Sequence, residues 1–424
     1  MRWENRFDNF LARIRMQNIP ARICLWSGTA FDLGPSPLVT ITVPSLAGMR
    51  HLLRPTLDGL GHAYVEKKID VEGTITNVID VVARLAANAA DAGRMPRRKL
   101  HMARHNKTMD TEAVAYHYNV SNDFYALWLD RSMTYSCGYF QKPCDTLETA
   151  QEQKIDHILR KLNLREGDRL LDIGCGWGAL VMRAAEKYGV KALGITLSQN
   201  QHALANERIR QAGLTDRCEV RLEDYRDVKG KFDRIASVGM FEHVGLKKLN
   251  SYFGKVCHLL DDDGIALIHG ITSTDIDSKE APYGAGDFID RYVFPNGELP
   301  HLSLVLQQMC DAGLEPVDVE NLRRHYALTL KLWSERFEQS ASRIKELVDE
   351  KSYRIWRVYL AGCAYGFQHD WMNVYQILAV KGGDSGNVLP LTRDYIYDRR
   401  NSAASHDKKT GMENPNLKSH REDG

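Results

Sequence analysis

Short apolar runs alternate with amphipathic segments through the middle of the chain. Arg169–Ile173, Lys191–Thr196, Cys218–Leu222, Phe232–Val238 and Gly264–Gly270 are dominated by apolar residues and are too short for stable helices. They read as strands. Gln151–Lys161, Ala179–Tyr188, Gln199–Ala212 and Lys247–Leu259 carry apolar residues at helical spacing. Strands alternating with helices predict an α/β fold: a doubly wound, mostly parallel, Rossmann-like sheet. Sheets of this kind bind ligands beyond the carboxyl ends of their strands.

The first 90 residues follow a different pattern and read as a smaller α+β domain with an expected lipid-binding or accessory role. Trp3, Phe7, Phe10, Leu11 and Ile14 share one helical face, with Arg2, Arg6, Arg13 and Arg15 off it. Such a helix either packs on its own domain or lies on a membrane surface. Leu38–Val43 is a strand closed by Pro44, and Val78–Ala90 is helical. Residues 91–110 form a basic, Pro-containing linker with Arg94, Arg97, Arg98, Lys99, Arg104 and Lys107. It is either a solvated tether or a strip that touches anionic lipid headgroups. Residues 111–398 form the main domain, and the polar tail 399–424 reads as disordered.

Length and composition narrow the possibilities. At 424 residues and 43% hydrophobic, the chain is long enough for two domains with real cores. The 56 Lys and Arg residues balance 55 Asp and Glu residues, so no global field favours nucleic acid. Its eight cysteines include no Cys-x-x-Cys pair, which indicates neither a metal site nor a disulfide framework. A reducing cytoplasm is the simplest compartment. There is no secretory apolar region at the N-terminus, and no run approaches the roughly 20 apolar residues of a spanning helix. Any membrane contact is therefore expected to be peripheral.

The most specific local feature is Leu170-Leu171-Asp172-Ile173-Gly174-Cys175-Gly176-Trp177-Gly178. A strand runs into an acidic residue, a glycine loop and a helix. Without Cβ atoms the loop can lie flat against a ligand. Its Gly-x-Gly-x-Gly spacing differs from the dinucleotide fingerprint and suits S-adenosylmethionine, which has no pyrophosphate to cradle. After the next strand, where a carboxylate often binds the ribose, Thr196 and Gln201 stand instead and offer neutral hydrogen bonds. Asp224 and Tyr225 are placed to bond and flank an adenine. Glu242 and His269 fall at the ends of the fourth and fifth strands, over the same crevice. Each alone reads as a capping or core residue, and together they suggest catalysis.

Several stretches jointly resemble the cyclopropane-fatty-acyl-phospholipid synthases, relatives of the mycolic acid cyclopropane synthases. They are Tyr116–Tyr125, Met133–Phe140, the glycine loop, Thr196-Leu197-Ser198, Ser237–Gly245 and Arg291–Gly297. The resemblance spans roughly residues 30–398. It implies a class I S-adenosylmethionine-dependent methyltransferase fold and methylene transfer to the cis double bond of an unsaturated membrane phospholipid. It also implies a bound bicarbonate, held by Cys137, Glu242, His269, the backbone of Ile271, and Tyr326. Ser136, Gly174, Gly176, Thr196, Leu197, Gln201, Asp224 and Tyr225 carry over as cofactor contacts. The implied setting is a homodimer on the inner face of the membrane. Tyr292 and Phe294 are either cation-stabilising aromatics or plain core. Cys137 as a nucleophile is a rival reading, although no dedicated base accompanies it. Some relatives attach a methyl group without closing a ring, so a lipid C-methyltransferase remains the alternative, and a non-catalytic lipid-binding protein is the other.

Overall fold

The computed structural model describes residues 3–91, 121–278, 285–294, 297–383 and 388–397. The basic linker with Arg97, Arg98 and Lys99, the Tyr116–Val120 half of one motif, Pro295-Asn296, and the polar tail lie outside the described residues.

Alternation of buried and exposed side chains builds the smaller sheet. Strands β1 (Ala21–Leu25), β2 (Ala30–Asp32), β3 (Val39–Val43) and β4 (Asp70–Glu72) lie in the order β2-β1-β3-β4. Ala21, Ile23 and Leu25 of β1 and Val39, Ile41 and Val43 of β3 all point to one core. Phe7, Phe10, Leu11 and Ile14 of the helix Trp3–Arg15 enter that same core, each at most 4% exposed. This corrects the surface-lying reading of the N-terminal helix, because its apolar face is already covered by its own domain.

The larger sheet contains β5 (Arg169–Ile173), β6 (Lys191–Thr196), β7 (Cys218–Leu222), β8 (Phe232–Val238) and β9 (Leu260–Ser273). These are the five expected strands, paired in parallel as β9-β8-β5-β6-β7, with β9 longer at both ends than its apolar run suggested. Leu170 to Ile173 are buried on both faces, as a central parallel strand requires. Two strands absent from the sequence reading, β10 (Leu314–Asn321) and β11 (Met372–Lys381), extend the sheet antiparallel beyond β9. The helices Arg323–Gln339 and Glu350–Gln368 lie between them in the chain. They carry Trp333, Phe337, Trp356 and Phe367 into an aromatic core with Phe124, Tyr125 and Trp128. Among the described residues, no helix is long and apolar enough to cross a membrane.

Polar bonds fix the smaller domain to the helix Glu350–Gln368. The buried Arg354 guanidinium donates to the Tyr64 carbonyl at 3.0 Å and pairs with Asp70 at 3.3 Å and Glu350 at 2.8 Å. Arg357 donates to the Tyr64 hydroxyl at 3.0 Å while it forks onto Glu338. Arg354→Ala would leave the Tyr64 carbonyl without that donor. The expected cost is about 1–3 kcal/mol, read as a lowered thermal midpoint. Unchanged melting of this variant would show that the junction does not depend on Arg354.

Candidate active site

The glycine loop leaves β5 with Gly174, Gly176 and Gly178 all at positive φ (+82°, +56° and +82°), a region that favours glycine. The Gly174 and Cys175 amides both donate to the Ile195 carbonyl at 3.0 Å, which ties the loop to the end of β6. A Cβ added at Gly176 would meet no atom within 4 Å, because the loop faces an open cleft of about 150 Å³. Ser136, Gly174, Gly176, Thr196, Leu197, Gln201 and Tyr225 all line it. Thr196 Oγ1 donates to Gln201 Oε1 at 2.7 Å, so the Gln201 amide nitrogen is the group left to donate to a ribose. Asp224 is different: its carboxylate forks onto Arg226 at 2.8 and 2.7 Å and does not line the cleft. Glu223 takes the place on the wall that Asp224 was expected to hold.

Asp172 and Lys154 also line this cleft, and neither was singled out as a contact from sequence. Asp172 Oδ1 is buried without a hydrogen-bond partner. Burial pushes the carboxyl up to about 7, with the charge of Lys154 opposing it. The ammonium of a bound amino acid would satisfy that oxygen. Lys154 Nζ donates to Ser136 Oγ at 2.9 Å, and burial lowers it to about 8. The signal that could have found Asp172 was its place at the end of the central strand. Lys154 had none, since it reads as one more helical lysine.

A second cavity, of about 360 Å³, gathers Cys137, Glu242, His269, Ile271 and Tyr326. Glu242 sits on the 3₁₀ turn Phe241–His243 just after β8, and His269 and Ile271 lie on β9. Gly270 allows this approach. A Cβ there would fall 2.4 Å from the Phe241 ring, so only glycine lets the turn pack flat on the strand. The Ile271 amide donates to Glu242 Oε1 at 2.7 Å, and Glu242 Oε2 is buried with no partner. That orphaned oxygen, with Cys137, His269 and Tyr326 around the same cavity, fits a small anion carrying a hydroxyl, whereas the Ile271 amide, expected to bond the anion directly, is spent on Glu242.

Burial sets the ionisation here. It pushes Glu242 up to about 7, against the Ile271 hydrogen bond. It holds His269 down at about 3, helped by the charge of Lys154, so the ring is neutral. The thiol of Cys137 is fully buried and pushed well up; it donates to the Gly138 carbonyl at 3.2 Å. A thiol kept protonated in this way is a donor, which argues against the nucleophile reading. Tyr326 is likewise held protonated by burial. Sequence reasoning also missed Gln376 on β11. It is fully buried, and its Nε2 lies 3.3 Å from His269 Nδ1.

Tyr135, Ser136, Gly239 and His243 line both cavities, so the two share a wall. Phe294 lines the larger cavity. Tyr292 instead turns its hydroxyl to His62 Nδ1 at 2.6 Å, so its role lies at the domain junction.

Residues 105–377 match the family model described as mycolic acid cyclopropane synthetase, and residues 7–92 match a domain of unknown function, DUF7884. The chain is 50% identical over 386 residues to a probable fatty acid methyltransferase of Pseudomonas putida, covering 90% of this chain and 97% of that one. It is 38% identical over 270 residues to the cyclopropane-fatty-acyl-phospholipid synthase of Escherichia coli strain K12, covering 64% and 68%. The crystal structure of mycolic acid cyclopropane synthase CmaA1 complexed with SAH and CTAB superposes with a TM-score of 0.61 at 36% identity, covering 66% of this chain and 99% of that one. The chain is therefore an enzyme with a methyltransferase fold, and it belongs to the mycolic acid cyclopropane synthetase family.

Proposed function

We propose that this enzyme adds a methylene group to the cis double bond of an unsaturated acyl chain in a membrane phospholipid, closing a cyclopropane ring. The observation that carries the reading is the shared wall. The glycine-loop cleft meets, at Tyr135, Ser136, Gly239 and His243, a single larger cavity that holds both the polar group around Glu242 and an apolar lining. S-adenosylmethionine would supply an activated methyl group, and bicarbonate a base that is replaced at each turnover.

The chain's own residues exclude water, hold the reactants and set the proton inventory. The buried walls keep the cleft dry and hold the reacting groups in near-attack geometry. Ring closure requires a proton to leave the added methyl carbon after the neighbouring alkene carbon has become positive. The pair of electrons from that C–H bond then forms the closing C–C bond. His269 and Tyr326 would donate to the anion, joined by the Cys137 thiol once it turns from the Gly138 carbonyl, while an ionised Glu242 accepts. Bicarbonate has one O–H and several acceptor oxygens, so one acceptor and three donors match it. Glu242 draws on the anion's O–H, which leaves another oxygen free to take the proton. A double bond that lies within a bilayer must be drawn out to reach this pocket, which makes the enzyme a peripheral visitor to the membrane surface.

The name of the Pseudomonas putida relative favours a second reading, a fatty acid methyltransferase that leaves a branch without a ring. Incubation with labelled S-adenosylmethionine and unsaturated phospholipid vesicles, followed by lipid mass analysis and proton NMR, separates the two. Gain of one CH₂ with loss of the alkene signal is expected. A methylene branch that keeps an alkene, or a methyl branch with two further hydrogens, would sink ring closure.

Glu242→Gln keeps the shape of the pocket but cannot accept the anion's proton. Turnover should fall on the order of 10²–10⁴-fold, with cofactor affinity retained in calorimetry. Because the ionised carboxylate is the working form, activity of the parent should rise with pH through about 7. That rise should be missing from the residual activity of the variant, and near-normal turnover would refute the assignment.

Gln376 holds the ring of His269 from behind. With the amide nitrogen toward Nδ1, that atom accepts and Nε2 carries the proton into the pocket. Gln376→Glu offers only an acceptor, so it should move the proton to Nδ1. Nitrogen NMR of labelled histidine should report the other tautomer, with a loss of turnover larger than that of Gln376→Asn. An unchanged His269 signal in the Glu variant would remove Gln376 from the mechanism.

A further inference from the structure

Much of the apolar lining of the larger cavity comes from outside the methyltransferase domain. Leu60, Ile69, Ile75, Val78, Ile79 and Val82, all from the segment that matches the domain of unknown function, face the same space as Glu242 and His269. Leu60, Ile69, Ile75 and Val78 are no more than 5% exposed, and Ile79 is 8% exposed, so this stretch of wall is interior and not the rim of a mouth. All six side chains are hydrocarbon. A phosphate headgroup or glycerol ester would find no hydrogen-bond partner among them, and burying it there would be costly. A chain of methylenes would gain from the same surface.

The wall is fixed in place on two sides. Across the cavity, Gly61 abuts Phe288 of the helix Ala285–Tyr292, where an added Cβ would fall 2.8 Å from the ring. Arg291 pairs with Asp58 at 3.0 Å, and Tyr292 bonds to His62. From the other side, Arg354 and Arg357 hold Tyr64. The wall therefore keeps a set distance from the reacting pocket.

We infer that the N-terminal domain is the binding site for the methyl-terminal half of the acyl chain, and that it measures the length beyond the double bond. The inference rests on the proposed acyl substrate and goes beyond it. The ester end of the chain is tethered to a polar headgroup and must stay near water, so the segment that enters a mostly hydrocarbon, largely buried wall is the methyl end. Side chains on the helix Ile75–Asp91 then limit how many carbons fit between that wall and the double bond held beside Glu242.

The full-length protein is incubated with vesicles of a cis-unsaturated phosphatidylglycerol that carries a diazirine near the methyl end, irradiated, and mapped by peptide mass spectrometry. Labelling within residues 57–82 is expected. Labelling only in the methyltransferase domain would overturn the inference. This readout needs no turnover, so it stands even if the proposed reaction fails. As a second measurement, Val78→Phe and the more accessible Val82→Phe are compared with the parent on sixteen- and eighteen-carbon chains. The double bond lies at the same distance from the ester in both. Removing room for one or two methylenes should lower the rate on the longer chain about tenfold relative to the shorter, with cofactor affinity unchanged. Equal loss on both chain lengths in folded variants would contradict a length gauge.

Discussion

One hydrogen bond, from the Ile271 amide to Glu242 Oε1, fixes the polar part of the larger cavity. It joins the turn after β8 to the end of β9 and turns a single carboxylate oxygen into the pocket with no partner. A buried acid with one satisfied oxygen is unstable as an anion and useful as an acceptor, so it titrates near neutrality and not near its ordinary value. The geometry depends on Gly270. Any side chain there would push the Phe241 ring, and with it Glu242, away from His269.

Around that bond the site is divided by polarity. On one side are the glycine loop and Asp172, with the buried charge of Lys154 beneath. On the other is a cavity whose lining joins Glu242 and His269 to many hydrocarbon side chains. The His269 ring is neutral because it is buried, and the nearby charge of Lys154 disfavours a second cation further. Cys137 and Tyr326 keep their protons for the same reason: burial disfavours their charged forms.

The antiparallel strands give the site support that a purely parallel sheet would lack. Across β9, β11 and β10, His269, Gln376 and Glu320 occupy one row of the ladder. Gln376 touches the active-site ring, and Glu320 anchors the buried Lys161 at 2.6 Å and His157 at 2.7 Å. The back of the pocket is thus tied to the helix Leu147–Lys161, which also carries Lys154 under the cofactor cleft. Breaking one partner in such a buried charged group is expected to be far more damaging than its surface equivalent.

The amino-acid sequence by itself determined the five parallel strands, the glycine loop and the position of Glu242 just past the end of β8, whereas His269, expected at a strand end, lies inside β9. Each follows from a local rule: apolar runs of strand length, backbone freedom at glycine, and the convergence of parallel strands at their carboxyl ends. Cys137, Ile271 and Tyr326 came from the family resemblance, and the structure brings them into one cavity with Glu242 and His269. Only the tertiary structure decided that Asp224 spends its carboxylate on Arg226, that Tyr292 belongs to the domain junction, and that the apolar face of the N-terminal helix is already covered. The same holds for Gln376 behind His269 and for the wall of Leu60, Ile75 and Val78. These depend on contacts between residues far apart in the chain. Periodicity says which side of a helix or strand is apolar, but not whether that side meets its own core, a neighbouring domain or a substrate.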